Sequence, residues 1–424
     1  MVSIAQMRKP PAGYFTSRLG LGEYTDWIDE SRSWKETVSI GDWSFLWQRR
    51  YRGPDSLKLF SDFSVNSFEK FDVLQSKHVT HCNEAGKVIH EGILSRLSED
   101  EYMLFGRNGF WLDYQIRKGG YDVESIPADG FNFQVAGPNA VALMEKLCGP
   151  EVRDIKFMHS GKLRIAGHDV LALRQGMSGE PGYELQGAAE HAKEVYDAVF
   201  LTGEQFGIRR VGARAVMINH LEACFPTIGT DYIPAIHSDD TREYGEEFTR
   251  EMQKYNATWN IAGSFESDDI ADWYRSPVEL GWGRNIKFDH DFVGRDALRA
   301  ELDNPRRTIR TLVWNPDDLI EVYASLFREG QPFDYMDMPR NNRGFVYADR
   351  VTLGGELVGI STARGYSYSF RKMLSLCVLD VRHAEIGQEV IVVWGNPGSP
   401  KKEIRATVAS APFKKDNRRV DISK

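Results

Sequence analysis

A chain of 424 residues with 42% hydrophobic and 27% charged residues has enough apolar material for two or three soluble domains. The net charge of −8 provides no basic footprint for nucleic acid or an anionic membrane, and no apolar run reaches the length of a membrane span. The first residues lack the apolar core of a signal peptide, and the four cysteines are scattered without a C-x-x-C pair. That pattern predicts reduced thiols in a cytoplasmic protein, with neither a disulfide frame nor a metal site.

Aromatic residues crowd the first fifty positions. Within them, Asp42-Trp43-Ser44-Phe45-Leu46-Trp47 alternates polar or small with aromatic side chains, which predicts a half-buried strand. Gly53-Pro54 then opens a short helix toward Phe60. Strands are expected over 86–94 and 102–107, followed by a helix from Asn108 to Ile116. Glu91 and Arg107 lie in those two strands, each readable as an ordinary charged strand-end residue or as a group that meets a ligand.

Phe131 to Ala136 reads as a strand that turns at Gly137-Pro138 into a helix through Leu147. A hairpin over 163–174 leads into Gly176-Met177-Ser178-Gly179-Glu180-Pro181-Gly182, and Tyr183-Glu184-Leu185 starts the next strand. Glycines at that density suit close approach to a flat ligand or a plain turn. Glu184 is accordingly either a surface residue or a carboxylate facing a cavity. A helix over 188–201 follows, then Val211-Gly212-Ala213-Arg214 opens another that leads past Glu222 to Phe225. Residues 237–275 are rich in acids and arginines and predict an inserted, largely solvated helical excursion or a lid. From residue 301 onward, short alternating strands with glycine turns predict a barrel or sandwich.

Four stretches share an order with a known family. Gly176-Met177-Ser178-Gly179-Glu180-Pro181-Gly182-Tyr183-Glu184, Val211-Gly212-Ala213-Arg214 with Leu221-Glu222-Ala223, Ser276-Pro277-Val278-Glu279-Leu280-Gly281-Trp282 and Phe292-Val293-Gly294-Arg295-Asp296-Ala297-Leu298 resemble the T-protein (aminomethyltransferase) family of the glycine cleavage system. Lys287 to Phe292, Tyr323 to Phe327 and Gly365-Tyr366-Ser367-Tyr368 are similar to its branch of tetrahydrofolate-dependent aryl O-demethylases acting on vanillate and syringate.

The resemblance implies an α+β, three-domain fold around a central folate cavity. Its first domain would take residues 1–52 and 124–236, its second 53–123 and 237–300, and its C-terminal β domain 301–424. It implies transfer of the O-methyl group of a methoxylated aromatic acid to tetrahydrofolate. Aminomethyl or N-methyl transfer from a glycine-type amine, or folate binding without catalysis, stand as alternatives. Glu184 would hold the aminopyrimidine edge of the pterin, Phe225 would cover its flat face, and Tyr183 and Arg214 would border it, Arg214 equally well pairing with a nearby acid. Arg107 would hold the substrate carboxylate beside Phe45, with Glu91 or Tyr232 as the candidate proton carrier. The partners implied are small molecules, for a monomer or small homo-oligomer.

Two positions depart from the branch. Phe45 stands where its members carry histidine, and Val216 where they carry a proton-handling tyrosine.

Overall fold

The structure is a computed structural model describing residues 4–8, 21–106, 110–253, 259–341 and 345–423. It is mixed α+β and divides into two compact units interleaved in sequence. One comprises Met1–Thr16, Thr80–Ile89 and Cys224–Phe413; the other comprises Ser17–Val79, His90–Ala223 and Lys414–Lys424. Most of the expected first domain therefore shares a unit with the first half of the expected second, while the 237–300 stretch shares the other with the C-terminal strands.

The unit carrying Glu184 is built on a six-stranded sheet ordered Ile208–Arg210, Val38–Asp42, Gly130–Ala136, Gly182–Ala188, His168–Arg174, Ser160–Ile165. Side chains alternate across a pleated strand, so each strand writes two faces with one sequence. Phe131, Phe133 and Val135 join Tyr183 and Leu185 on one face, in a core with Leu143, Met144, Val195 and Val199 from the helices Ala140–Cys148 and Ala192–Gly203. The register pairs Glu184 with Gln134 and Gln186 with Asn132 on the opposite face. One face is thus apolar and the other, also buried, is lined with amides and a carboxylate.

A second, antiparallel sheet runs Ser76–Cys82, Val88–Arg96, Glu101–Gly106, Trp47–Arg52, Glu124–Ala128. The run 42–47 is not one strand. Val38–Asp42 ends where the Asp42 carboxylate accepts from Ser44 N–H at 2.9 Å, and Leu46 N–H closes onto Trp43 O at 2.9 Å. A short polar side chain capturing its own backbone two residues on makes a turn compete successfully with the strand.

In the other unit, six strands close into a barrel: Arg307–Trp314, Lys372–Asp380, Glu356–Ser367, Asp349–Leu353, Glu389–Trp394 and Lys402–Ala409. Closure leaves no open sheet edge. Leu312, Val351, Leu379, Val392 and Ile404 fill the interior. Phe345–Tyr347, expected within the C-terminal β domain, pairs instead with Asn260–Ala262 outside the barrel. The charge-rich excursion contains the helix Arg242–Gln253, which buries Tyr244, Gly245 and Phe248.

Candidate functional site

The site grows from the glycine loop. Gly179 adopts φ +77°, and a Cβ at Gly176 would run into the Glu180 carbonyl, so both positions exclude larger residues. The loop delivers the chain into the strand Gly182–Ala188 with Glu184 on the polar face of the sheet. Gln175 Nε2 donates to Glu184 Oε1 at 2.9 Å and lies 3.1 Å from Met177 Sδ. Burial pushes the Glu184 carboxyl up to about 7, while the amides of Gln175, Asn132 and Gln134 pull it back toward its ordinary range.

On the same sheet face and at the start of the loop, Asn132 Oδ1, Gln186 Nε2 and Gln175 Oε1 are buried without hydrogen-bond partners, as is Ser178 Oγ within the loop. An unsatisfied buried polar group costs about 1–3 kcal/mol. Two on one sheet face and two in the loop that feeds it, with a carboxylate of raised pKa on that face, fit a surface that a ligand completes. A carboxylate can take two parallel N–H groups from an aminopyrimidine edge, and the free amide atoms add acceptors and a donor. These residues fit the head of a folate. Neither Asn132 nor Gln186 was singled out from the sequence; only their two-residue spacing from Gln134 and Glu184, on strands already anticipated, could have pointed to them.

The 43–46 turn borders the same face. Trp43 N–H donates to Asn132 O at 2.8 Å, and Asn132 N–H returns a bond to Ser44 Oγ at 3.0 Å. The Trp43 ring stacks on His220, with centroids 5.4 Å apart, and lies 5.5 Å from Phe45. Val216 is buried in the cluster of Trp34, Trp43, Val211, Ala215 and Ile218, with Phe45 packed against it. The positions where the resemblance would place tyrosine and histidine are therefore occupied by Val216, inside an apolar cluster, and by Phe45, packed against it.

The remaining expected residues are placed as follows. Glu91, in Val88–Arg96, meets His78 Nε2 at 2.9 Å, with about a quarter of each side chain exposed. Arg214 lies 2.5 Å from the Glu23 carboxylate. Tyr183 requires correction as a cofactor residue: strand alternation turns it away from Glu184 into the apolar core, where its hydroxyl donates to Val152 O at 2.9 Å. Phe225 and Tyr232 belong to the other compact unit, Phe225 half-buried and Tyr232 fully buried with its ring 6.4 Å from Trp282. Arg107 lies outside the described residues. Among the described residues, no group of three or more histidine, cysteine, aspartate or glutamate side chains could hold a metal ion, and no helix is long and apolar enough to cross a membrane.

Comparison with known proteins matches residues 5–244 to the GCVT N-terminal domain. The chain is 35% identical over 378 residues to the sesamin methylene transferase of a Sinomonas species, covering 85% of this chain and 82% of that one. It is 32% identical over 416 residues to the syringate O-demethylase of a Sphingobium species, covering 92% and 89%. The fold resembles that of the glycine cleavage aminomethyltransferase T from Bartonella henselae, with a TM-score of 0.69, 17% identity and 96% coverage of both chains. The chain belongs to the glycine cleavage T-protein (GCVT) family, as a tetrahydrofolate-dependent enzyme.

Proposed function

We propose that the protein transfers the O-methyl group of a methoxylated aromatic acid to N5 of tetrahydrofolate and releases a phenol. The observation that carries this reading is the buried Glu184 carboxylate ringed by amides with free valences, in a chain 32% identical to a syringate O-demethylase. When bound, tetrahydrofolate supplies the nitrogen that accepts the one-carbon unit.

The chain's residues then have three tasks. Glu184 accepts N–H groups from the pterin edge, and Gln175 fixes the carboxylate's direction. Holding nitrogen, methyl carbon and ether oxygen in line can supply up to roughly 7–11 kcal/mol, which a poor leaving group such as phenoxide demands. As the carbon–oxygen bond breaks, its electron pair stays on the aryl oxygen, and the proton lost from the accepting nitrogen must finally reach that oxygen. Glu91, backed by His78, or alternatively Tyr232, is the proposed carrier of that proton. Arg107 is proposed to orient the substrate carboxylate bidentately, and Phe45 to pack on the ring. The apolar cluster at Val216 and Phe45 favours a substrate without a free hydroxyl beside its methoxy group.

That same cluster, with the 35% likeness to a protein named for methylene transfer, favours a second reading in which a methylenedioxy aromatic is the donor. Anaerobic incubation with tetrahydrofolate and a panel of methoxybenzoates, methylenedioxybenzenes and dimethylglycine separates the readings. Formation of 5-methyltetrahydrofolate with a phenol supports O-demethylation. Methylenetetrahydrofolate with a catechol supports the second reading, and 5-methyltetrahydrofolate formed together with N-methylglycine from the amine supports N-methyl transfer. Tight folate binding without turnover of any donor supports a binding protein.

A further inference from the structure

The C-terminal segment holds the loop that presents Glu184. Lys414–Lys424 counts with the Glu184 unit although it follows the barrel in sequence. Three successive loop residues are each tied to it. Lys414 Nζ donates to Ser178 O at 2.9 Å, Asn417 N–H donates to Gly179 O at 2.8 Å, and Lys414 Nζ lies 2.6 Å from Glu180 Oε1. Asn417 Nδ2 adds a bond of 3.1 Å to Glu180 Oε2.

The anchoring continues on both sides. Lys414 N–H donates to the carbonyl of Glu222, whose own carboxylate lies 3.1 Å from Lys35 Nζ. Arg174, at the end of the strand that precedes the loop, donates to Arg418 O, and Arg153 donates to Ile422 O. Ile422 sits in the core beneath the sheet. Lys414 and Glu180 are 8% and 11% exposed, so their attraction is little screened by solvent.

The loop is too rich in glycine to hold one shape unaided. Its first residues, Gln175 and Met177, are the ones that meet each other and, through Gln175, the Glu184 carboxylate.

We infer that Lys414 to Asn417 form a clasp that sets the glycine loop, and through Gln175 the Glu184 carboxylate, so that tetrahydrofolate binding and ordering of the C-terminal tail are coupled. Lys414 is then a positioning residue, acting through Ser178 and Glu180. This rests on tetrahydrofolate binding at Glu184. Coupling is reciprocal: a ligand that needs the clasp closed must also hold it closed.

The test uses the full chain. Removing Lys414 alone leaves the Glu180 charge buried without its cation, with Asn417 as its hydrogen-bond partner, which can unfold the protein. The primary variant is therefore the double substitution Glu180→Gln with Lys414→Met, compared with Lys414→Arg. The double variant, with an unchanged thermal unfolding profile, is expected to bind tetrahydrofolate at least roughly tenfold more weakly, and Lys414→Arg within about threefold of wild type. Tetrahydrofolate is also expected to slow removal of the wild-type tail by carboxypeptidase severalfold. A folded double variant that binds like wild type overturns the clasp, as does a wild-type tail digested equally fast with and without saturating ligand. Wild-type protein that binds no tetrahydrofolate overturns the cofactor's placement at Glu184, and the clasp with it.

Discussion

Gln175 and Glu184 are joined by a single hydrogen bond of 2.9 Å, and that bond ties the glycine loop to the strand it feeds. The same amide nitrogen lies 3.1 Å from the Met177 sulfur, so loop shape and carboxylate direction are set together. The Glu184 carboxylate is buried and flanked by amides with free valences, which leaves its charge for a ligand to satisfy.

Replacing Glu184 should act on binding first. Glu184→Ala is expected to remove two charge-assisted hydrogen bonds and weaken tetrahydrofolate binding by about 3 kcal/mol or more, a loss of over a hundredfold. Glu184→Gln, which keeps the shape but offers one acceptor oxygen and an amide donor, should lose nearly as much. Equilibrium titration followed by intrinsic fluorescence checks both variants.

The raised pKa of Glu184 carries a pH signature. With the folded value at about 7 and the ordinary value at 4.5, the folded protein holds a proton between those limits that the unfolded chain has released. The associated stability is full below pH 4.5 and is lost as pH rises through 7. Glu184→Gln removes this dependence and should stabilise the ligand-free protein by about 3 kcal/mol above pH 7, with no gain below pH 4.5. Asp231 and Asp349 are also raised, to about 6 and about 7, so the quantity to read is the difference between wild type and variant across pH. Because the carboxylate form is the one that grips N–H donors, affinity for tetrahydrofolate should fall about tenfold per unit below pH 7.

Glu91 and His78 separate binding from chemistry. If Glu91 carries the proton, Glu91→Gln should lower kcat about a hundredfold while the KM for tetrahydrofolate moves less than threefold. His78→Ala should lower kcat less, since it acts through Glu91. A His–carboxylate contact with about a quarter of each side chain exposed contributes only about 0–1 kcal/mol to stability, so neither variant should shift Tm by more than a few degrees. Unchanged kcat in Glu91→Gln would pass the proton-carrying task to Tyr232 or another group.

Val216 offers a test of the apolar wall. It is 2% exposed and enclosed by Trp34, Trp43 and Ile218, so Val216→Tyr cannot simply restore the phenol found in the aryl O-demethylase branch. Overpacking should cost about 1–3 kcal/mol. Thermal unfolding should show that loss, with no gain in turnover of a hydroxylated substrate such as vanillate.

Much of this was legible in the chain, and the misses have physical reasons. Glu184 stood out because a glycine loop runs into an alternating strand, and the alternation that buries Leu185 turns Glu184 to the opposite face. The same rule places Tyr183 in the core; its neighbourhood in sequence misleads because adjacent strand residues point apart. The 42–47 run looked like a strand, but Asp42 and Ser44 form a local turn that outcompetes it. Asn132, Gln134, Gln175 and Gln186 escaped notice because isolated amides carry no spacing signature until strand register brings them together. The Glu91–His78 pair spans two strands and so has no spacing signature, whereas Ile404, Ala406 and Val408 alternate in Lys402–Ala409 as a barrel strand should.

The most direct test follows a labelled carbon. Purified protein is incubated anaerobically with tetrahydrofolate and methoxybenzoates carrying a ¹³C-methyl group, and the folate products are resolved by liquid chromatography and mass spectrometry. The account predicts that the label appears in 5-methyltetrahydrofolate in step with an equimolar phenol, and that Glu184→Ala abolishes both. Label that remains on every aromatic while the folate is recovered unchanged, or turnover that survives loss of Glu184, would contradict it.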